Sequence, residues 1–380
     1  MNGAPQEVDR KPPTLTLGSR TLGEGSPVLL VAELGTGHNG SPERALEMVD
    51  AAAASGADAV KLQLVIAEEI LHPLTGHVEL PGGRIPLFER FRALQREPGF
   101  YAAVKAHAEK RGLHFLCTPF GIRSARVVRD LECPALKIAS PELNHLPLLR
   151  EAASYGVPLI LSTGVSTLAD IERAAAIVGP AAALLHCITA YPAPEEEYNL
   201  RLIPNLSRIF SLPVGLSDHS LDPVLVPAAA VGLGACIVEK HFTISRLGGG
   251  LDDPIALPPR DFARMAEAVR RAEGLPRESL FSELGREYGV ERLERVLGTG
   301  AKALAPSERL NYGRSNRSIH ARRAVKKGEL LTMENVAVLR TEKNLKPGLE
   351  PVHLDTVLRK RTIRPIPDGA GITWEDLLAP

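Results

Sequence analysis

Two lysines, four hydroxyls and two histidines stand out in this sequence because of where they fall. Lys61 and Lys137, with Thr118, Ser140, Ser162 and Ser217, each lie in or just beyond a short apolar run. Two ammonium groups and four hydroxyls brought together suit a phosphate-bearing anion, because charge-assisted donors grip phosphate oxygens strongly. His219 and His241 each follow an apolar run as well. Two neutral imidazoles facing one cavity can hold a divalent metal, with water or substrate completing the shell. The competing reading is a pair of hydrogen-bonded core histidines. Glu33, Glu142, Glu239 and Asp252 supply carboxylates for acid–base work or for a metal's outer shell. Spacing does not divide those roles among them. Any one of these residues alone reads as a solvated loop residue; so many at the same point of a repeating unit do not.

That unit is a βα pair. Apolar runs at 28–33, 59–64, 114–117, 135–138, 159–162, 183–186, 214–217 and 236–241 alternate with helix-like stretches of about a dozen residues, as parallel strands joined by helices require. Helices are expected over 42–55, 99–111, 124–131, 146–155, 168–178, 224–233 and 260–272, with a proline-broken sixth connection around 204–210. Ser41 followed by Pro42 reads as a helix start. Eight such units predict a TIM (β/α)8 barrel, whose strand ends point their polar residues into one mouth. An open doubly wound sheet is the alternative, but no glycine-rich dinucleotide turn follows the first strand.

Around the barrel, residues 14–22 predict a hairpin over its bottom, within an N-terminal segment of 1–25. The barrel itself spans 26–276. The long insertion at 71–95, containing Pro81, Gly82 and Gly83, is expected to shape the pocket. A polar, helical and glycine-interrupted stretch at 277–316 reads as a linker. A compact module at 317–380 follows, with Thr332 and Thr373 placed as N-caps. A module this small needs a neighbour to dock on.

Composition narrows the function. Lys+Arg 45 balances Asp+Glu 45, so no basic excess exists to neutralise a nucleic acid. The polar opening lacks the apolar core of a secretory signal, and no apolar run is long enough to cross a bilayer. Cys117, Cys133, Cys187 and Cys236 make no CxxC pair and read as buried thiols in a reducing cytoplasm. The chain is therefore expected to be cytoplasmic, with neither nucleic acid nor membrane as partner.

In chain order, Ala32-Glu33-Leu34-Gly35 with His38-Asn39-Gly40, Lys61-Leu62-Gln63, Thr118-Pro119-Phe120, Lys137-Ile138-Ala139-Ser140, Ser162-Thr163-Gly164, Tyr191-Pro192, Gly215 to Ser220 and Glu239-Lys240-His241-Phe242-Thr243 resemble the sialic acid synthase family. The tail from Arg317 resembles its antifreeze-like (SAF) domain. The resemblance implies condensation of phosphoenolpyruvate with an N-acylated amino-sugar aldehyde and water, giving a nine-carbon 2-keto acid and phosphate. It implies that Lys61, Thr118, Lys137, Ser140, Ser162 and Ser217 hold phosphoenolpyruvate. It gives Glu33 the proton or the developing cation. Gln63, Tyr191, Glu142, Glu239 and Asp252 would orient the sugar and metal-bound water, with Thr189 also at the substrate and Asp253 competing with Asp252. His219 and His241 would carry a divalent ion, manganese first, with magnesium or cobalt as alternatives. Arg317 matches an arginine that reaches into the partner subunit's barrel to contact the sugar's acyl group, which implies a domain-swapped homodimer.

The departures are Gly37 and Thr189 for residues the family holds as amides or Ser, and an apolar Leu64, Val65 and Ile66 where the family is aromatic-rich. They leave the sugar open between N-acetylmannosamine, its phosphate and diamino-dideoxy sugars, with Leu64 to Ile66 hinting at fewer hydroxyls. Rival readings are another phosphoenolpyruvate-dependent ulosonate synthase, a Schiff-base aldolase using Lys61 or Lys137, and a silent carbohydrate-binding barrel.

Overall fold

The computed structural model describes residues 12–80, 83–342 and 344–378. Most of the expected N-terminal tail, Pro81 and Gly82 of the insertion, and the last two residues lie outside the described residues.

Eight parallel strands close into a barrel in sequence order: β1 (Leu29–Gly35), β2 (Ala59–Leu64), β3 (His114–Pro119), β4 (Leu136–Ile138), β5 (Leu159–Ser162), β6 (Ala182–Cys187), β7 (Val214–Asp218) and β8 (Ile237–His241). β8 pairs with β1 from Ile237↔Leu29 to His241↔Glu33, which completes the ring. The eight expected runs all become strands. Their near-continuous apolar character fits sheets covered by helices outside and packed side chains inside.

The helices start where their sequences supply caps. The Ser41 side chain accepts from Arg44 N at 3.1 Å, with Pro42 in the first turn of Pro42–Ala54. Thr167 and Asp170 form a reciprocal capping box on Leu168–Val178. The helix Ile122–Asp130 follows Gly121, which has no side chain to cap it, although the Ser124 hydroxyl reaches back to accept from Gly121 N at 2.9 Å. The Glu69 carboxylate plugs its N-terminus instead, accepting from Arg123 N at 2.6 Å and Ser124 N at 2.9 Å. The expected hairpin forms from Thr14–Leu17 and Arg20–Gly23. Its Leu15, Leu17 and Leu22 pack against Leu29, Ile160 and Ile237, sealing the barrel end opposite the mouth.

Several expectations change. Pro204 does not break the sixth connection: it sits in the first turn of Leu202–Phe210, where the missing N–H costs nothing. Much of the expected linker is barrel. Arg277–Tyr288 and Val290–Leu297 are helices whose Leu280, Leu284, Leu293 and Val296 join the main core. The charged residues between them made the stretch look solvated, but the apolar positions share one face. Thr332 heads a turn rather than a helix, whereas Thr373 does cap Trp374–Asp376.

The C-terminal module pairs Arg317–Ala321 with Val336–Arg340 around its own small core. It docks on the barrel mouth. Asn144 exchanges two bonds with the Arg317 backbone, at 2.9 and 3.0 Å. His72 meets Asp368 at 3.1 Å, and Asn344 N donates to Thr75 O.

Candidate active site

Strand alternation decides which side chains enter the barrel. In the β7–β8 register Ser217 faces Glu239 and Asp218 faces Lys240. The Ser217 hydroxyl donates to Glu239 Oε1 at 3.0 Å inside the barrel. Asp218 and Lys240 point the other way and pair at 2.6 Å behind the wall. One residue on, His219 and His241 turn inward again, with ring centroids 5.3 Å apart.

The inward residues line a cavity of about 220 Å³. Its floor is buried and polar. Lys61 Nζ lies 2.6 Å from Glu33 Oε2 and donates to Thr118 Oγ1 at 3.2 Å. Lys137 Nζ donates to Ser162 Oγ at 2.7 Å. Glu239 stands between the two lysines, 3.6 Å from Lys61 and 3.5 Å from Lys137. Gln63 donates to Glu33 Oε1 at 2.9 Å. Burial by itself would raise the Glu239 pKa, but Lys137, Lys61 and the Ser217 hydroxyl hold it down, to about 2. Burial likewise works against the Lys61 ammonium, and Glu239 and Glu33 overcome it, raising its pKa. Lys137 has no carboxylate as close, and burial wins: its pKa is lowered.

The histidines stand at the edge of this floor. Tyr191 stacks on His219 at 4.3 Å between centroids. His219 Nδ1 lies 2.7 Å from the Ile188 carbonyl, which can only accept, so Nδ1 carries a proton and Nε2 is the nitrogen that could bind a metal once its own proton is displaced. Burial opposes a charged His219, yet Cys187 and the Ile188 carbonyl hold its pKa up, to about 9. Burial and the neighbouring His219 push His241 down to about 3, so it is a neutral donor. Asp252 Oδ2 stands 3.8 Å from His241 Nδ1. Among the described residues no three His, Cys, Asp or Glu side chains are grouped to hold a metal by themselves. The donor set fits an ion carried by two imidazoles with water or substrate in the other positions. Charge agrees with it. Lys61 and Lys137 already face Glu33 and Glu239, so an incoming polyanion gains from a further cation beside it.

Of the sequence-derived residues, Glu33, Lys61, Gln63, Thr118, Lys137, Ser140, Ser162, Tyr191, Ser217, His219, Glu239, His241 and Asp252 all line this one cavity. Asp253 does not; it is buried and accepts from Gly250 N at 2.7 Å, shaping the loop that presents Asp252. Thr189 lies behind the wall, its backbone N–H given to Glu308 at 2.8 Å. Glu142 and Arg317 also miss the cavity and are paired with each other at 2.9 Å, both essentially without exposure. The remaining Arg317 donors go to the carbonyls of Glu69, Ile70, Phe120 and Val338. In the single chain Arg317 is thus buried at the contact between the C-terminal module and the barrel. The arginine of the C-terminal module that does line the cavity is Arg340, which pairs with Glu142 at 2.8 Å. Its strand position carried no signal, because only docking brings it to the mouth. Leu64, Val65 and Ile66 are absent from the lining; Val65 packs under the insertion with Leu87 and Phe88. The insertion reaches the cavity through Phe91 instead.

The NeuB family matches residues 48–278 and the SAF domain matches residues 316–378. The chain belongs to the NeuB family. It is 31% identical to an N,N'-diacetyllegionaminic acid synthase of Legionella pneumophila, over 95% of this chain and 98% of that one. It is 30% identical to a pseudaminic acid synthase of Campylobacter jejuni, over 92% of this chain and 96% of that one. The crystal structure of the spore coat polysaccharide biosynthesis protein SpsE from Bacillus subtilis superposes with a TM-score of 0.81 at 31% identity, covering 97% of this chain and 99% of that one. A NeuB-family barrel with relatives of this kind is an enzyme of the acid-synthase type.

Proposed function

We propose that this NeuB-family enzyme condenses phosphoenolpyruvate with an N-acylated amino-sugar aldehyde and water, yielding a nine-carbon 2-keto acid and phosphate. The observation that carries the reading is the shared floor: Lys61 and Lys137 flank Glu239 within 3.6 Å, beside hydroxyls and two imidazoles. The synthases named above support the same reaction type.

In this reading the lysines, Thr118, Ser140, Ser162 and Ser217 take the phosphate and carboxylate of phosphoenolpyruvate. Glu239, held ionised between the lysines, keeps them charged and oriented. Glu33, buried and paired with Lys61, stabilises positive charge at the central carbon or moves the proton of the attacking water. Tyr191, Gln63 and Asp252 position the acceptor. His219 and His241 would hold a divalent ion, manganese or else magnesium or cobalt, which supplies Lewis-acid polarisation of the aldehyde oxygen. The C-terminal module docks at the mouth and adds Arg340 to the lining.

The four free, buried thiols suit a reducing cytoplasm. A swapped homodimer would make the Arg317–Glu142 and Arg340–Glu142 contacts between chains, with 298–316 as the hinge; light scattering of the purified protein reads the assembly directly.

The test is phosphate release from phosphoenolpyruvate with a panel of N-acylated hexosamines, with metal added or chelated, and mass spectrometry of the product. His219→Ala and His241→Ala are each expected to abolish turnover in a folded protein. Near-normal rates in either would refute the metal assignment, and borohydride trapping of a lysine would point to a Schiff-base aldolase instead.

A further inference from the structure

We infer that Glu308 is a positioning residue of the metal site, acting on His219 through the peptide group between Ile188 and Thr189. The inference rests on the two-imidazole site proposed above and adds the group that holds one of its imidazoles.

Glu308 ends the short turn Pro306–Glu308, in the stretch that the sequence presents as a linker. It is fully buried, although Arg309 and Leu310 beside it are exposed. A carboxylate is costly to bury unless its oxygens are hydrogen-bonded, and these are. Oε1 accepts from Val165 N at 2.6 Å and from Thr189 N at 2.8 Å, and Oε2 accepts from Ala305 N at 3.2 Å. One oxygen therefore joins the loop after β5 to the loop after β6. The stretch around it is seated on the barrel: the Ser307 hydroxyl donates to Glu197, and the Tyr312 hydroxyl donates to Asp170 at 3.0 Å. Whichever chain of a swapped dimer delivered the stretch, these bonds would be the same.

The Thr189 bond is the one that reaches the chemistry. Thr189 N belongs to the same peptide group as the Ile188 carbonyl, and in a trans peptide the N–H and the C=O point in opposite directions. Glu308 holds the N–H side, and the C=O side takes the Nδ1 proton of His219 at 2.7 Å. This peptide plane cannot turn without breaking one bond or the other. Hydrogen bonds in such a chain also polarise one another, so a carboxylate on the N–H strengthens the carbonyl as an acceptor. A metal-binding imidazole is commonly oriented by a carboxylate or a carbonyl on its other nitrogen; here a carbonyl and a carboxylate stand in series.

The Val165 bond fixes the carboxylate itself. Val165 has a φ of +43°, a left-handed conformation that a β-branched residue adopts at a cost and keeps only where its surroundings over-determine it. Both of its backbone groups are held, the N–H by Glu308 and the C=O by Asn316 Nδ2 at 3.0 Å. Asn316 thus shares the Val165 arm without bonding to the Ile188–Thr189 peptide, which makes it the control.

The experiment measures manganese binding to the purified full-length protein by titration calorimetry, without phosphoenolpyruvate, together with the melting temperature. Glu308→Ala is expected to raise Kd about 10- to 100-fold, the usual effect of removing a group that orients a metal ligand. Glu308→Gln leaves an oxygen for the two N–H groups and is expected to recover most of that loss. Asn316→Ala is expected to lower the melting temperature with Kd unmoved. Should Glu308→Ala not fold, Glu308→Asp draws the carboxylate back by one carbon–carbon bond and is expected to fold and to raise Kd several-fold. An unchanged Kd in the folded Glu308 variant, or an equal rise in Asn316→Ala, overturns the inference while the metal site stands. No manganese binding by the unmodified protein overturns the two-imidazole site itself, and the positioning role with it.

Discussion

The two lysines of the floor differ in what surrounds them, and that difference is testable. Lys61 has a carboxylate at 2.6 Å and a raised pKa, while Lys137 has its nearest carboxylate at 3.5 Å and a lowered one. Lys61 is committed to the protein; Lys137 has more to gain from an arriving anion. Lys137→Met should therefore raise KM for phosphoenolpyruvate about 10- to 100-fold, the loss of one hydrogen bond to a charged group, with a small change in melting temperature. Lys61→Met should instead destabilise the fold by about 3–5 kcal/mol, because it strands a buried Glu33. Denaturant unfolding together with calorimetric titration of phosphoenolpyruvate separates the two outcomes, and equal stability losses would contradict the asymmetry. At this scale the sequence was highly informative. Thirteen of its sixteen named site residues line one cavity. The three that do not, Glu142, Thr189 and Arg317, lie behind it or at the domain contact, where residue type alone cannot distinguish a ligand from a brace.

At the scale of elements, the ends of β7 and β8 show how alternation builds a site and its backing together. Ser217 and His219 face inward, as do Glu239 and His241, while Asp218 and Lys240 pair on the far side with essentially no exposure. The Tyr198 hydroxyl joins them: it donates to Asp218 at 2.6 Å and accepts the His219 backbone N–H at 2.7 Å. Ser220 N also binds Asp218, at 2.8 Å. The backbone that carries His219 is thus held from behind by three groups that never touch the cavity. The sequence displayed Asp218 and Lys240 inside recognisable motifs but gave no sign that they face away from the chemistry; the side-chain period of two, once the register is known, supplies that. Tyr198→Phe keeps the packing and removes both hydroxyl bonds. It should cost about 1–3 kcal/mol of stability for the buried groups left unpaired. It should also raise the manganese concentration needed for half-maximal activity several-fold with little change in KM for phosphoenolpyruvate. A purely structural role would lower stability without moving the metal dependence.

The whole molecule is a barrel closed from both ends, and the two closures differ in kind. The N-terminal hairpin seals the bottom with leucines, a contact whose strength is proportional to buried area and indifferent to precise alignment. The C-terminal module seals the mouth around one buried carboxylate. Glu142 Oε1 accepts from Arg317 Nε at 3.1 Å and Nη2 at 2.9 Å, and from Arg340 Nε at 3.0 Å and Nη2 at 2.8 Å. The barrel was legible because its repeat is written in every unit. The docking was not, because it depends on two arginines and a glutamate separated by nearly half the chain, and the helices at 277–297 that extend the barrel wall were masked by their charged outer faces. The buried cluster predicts that docking and folding are coupled. Glu142→Ala takes from two largely buried guanidinium groups the carboxylate they share, a loss of about 3–5 kcal/mol concentrated at one contact. The module's own core is small, so it should melt ahead of the barrel once unfastened. Scanning calorimetry is expected to show one cooperative transition in the unmodified protein and two in the Glu142→Ala variant, the earlier one assigned by proteolytic cleavage within 298–316. A single transition at an unchanged temperature would mean that the module is held by its other contacts and that the carboxylate serves only to keep Arg340 in place.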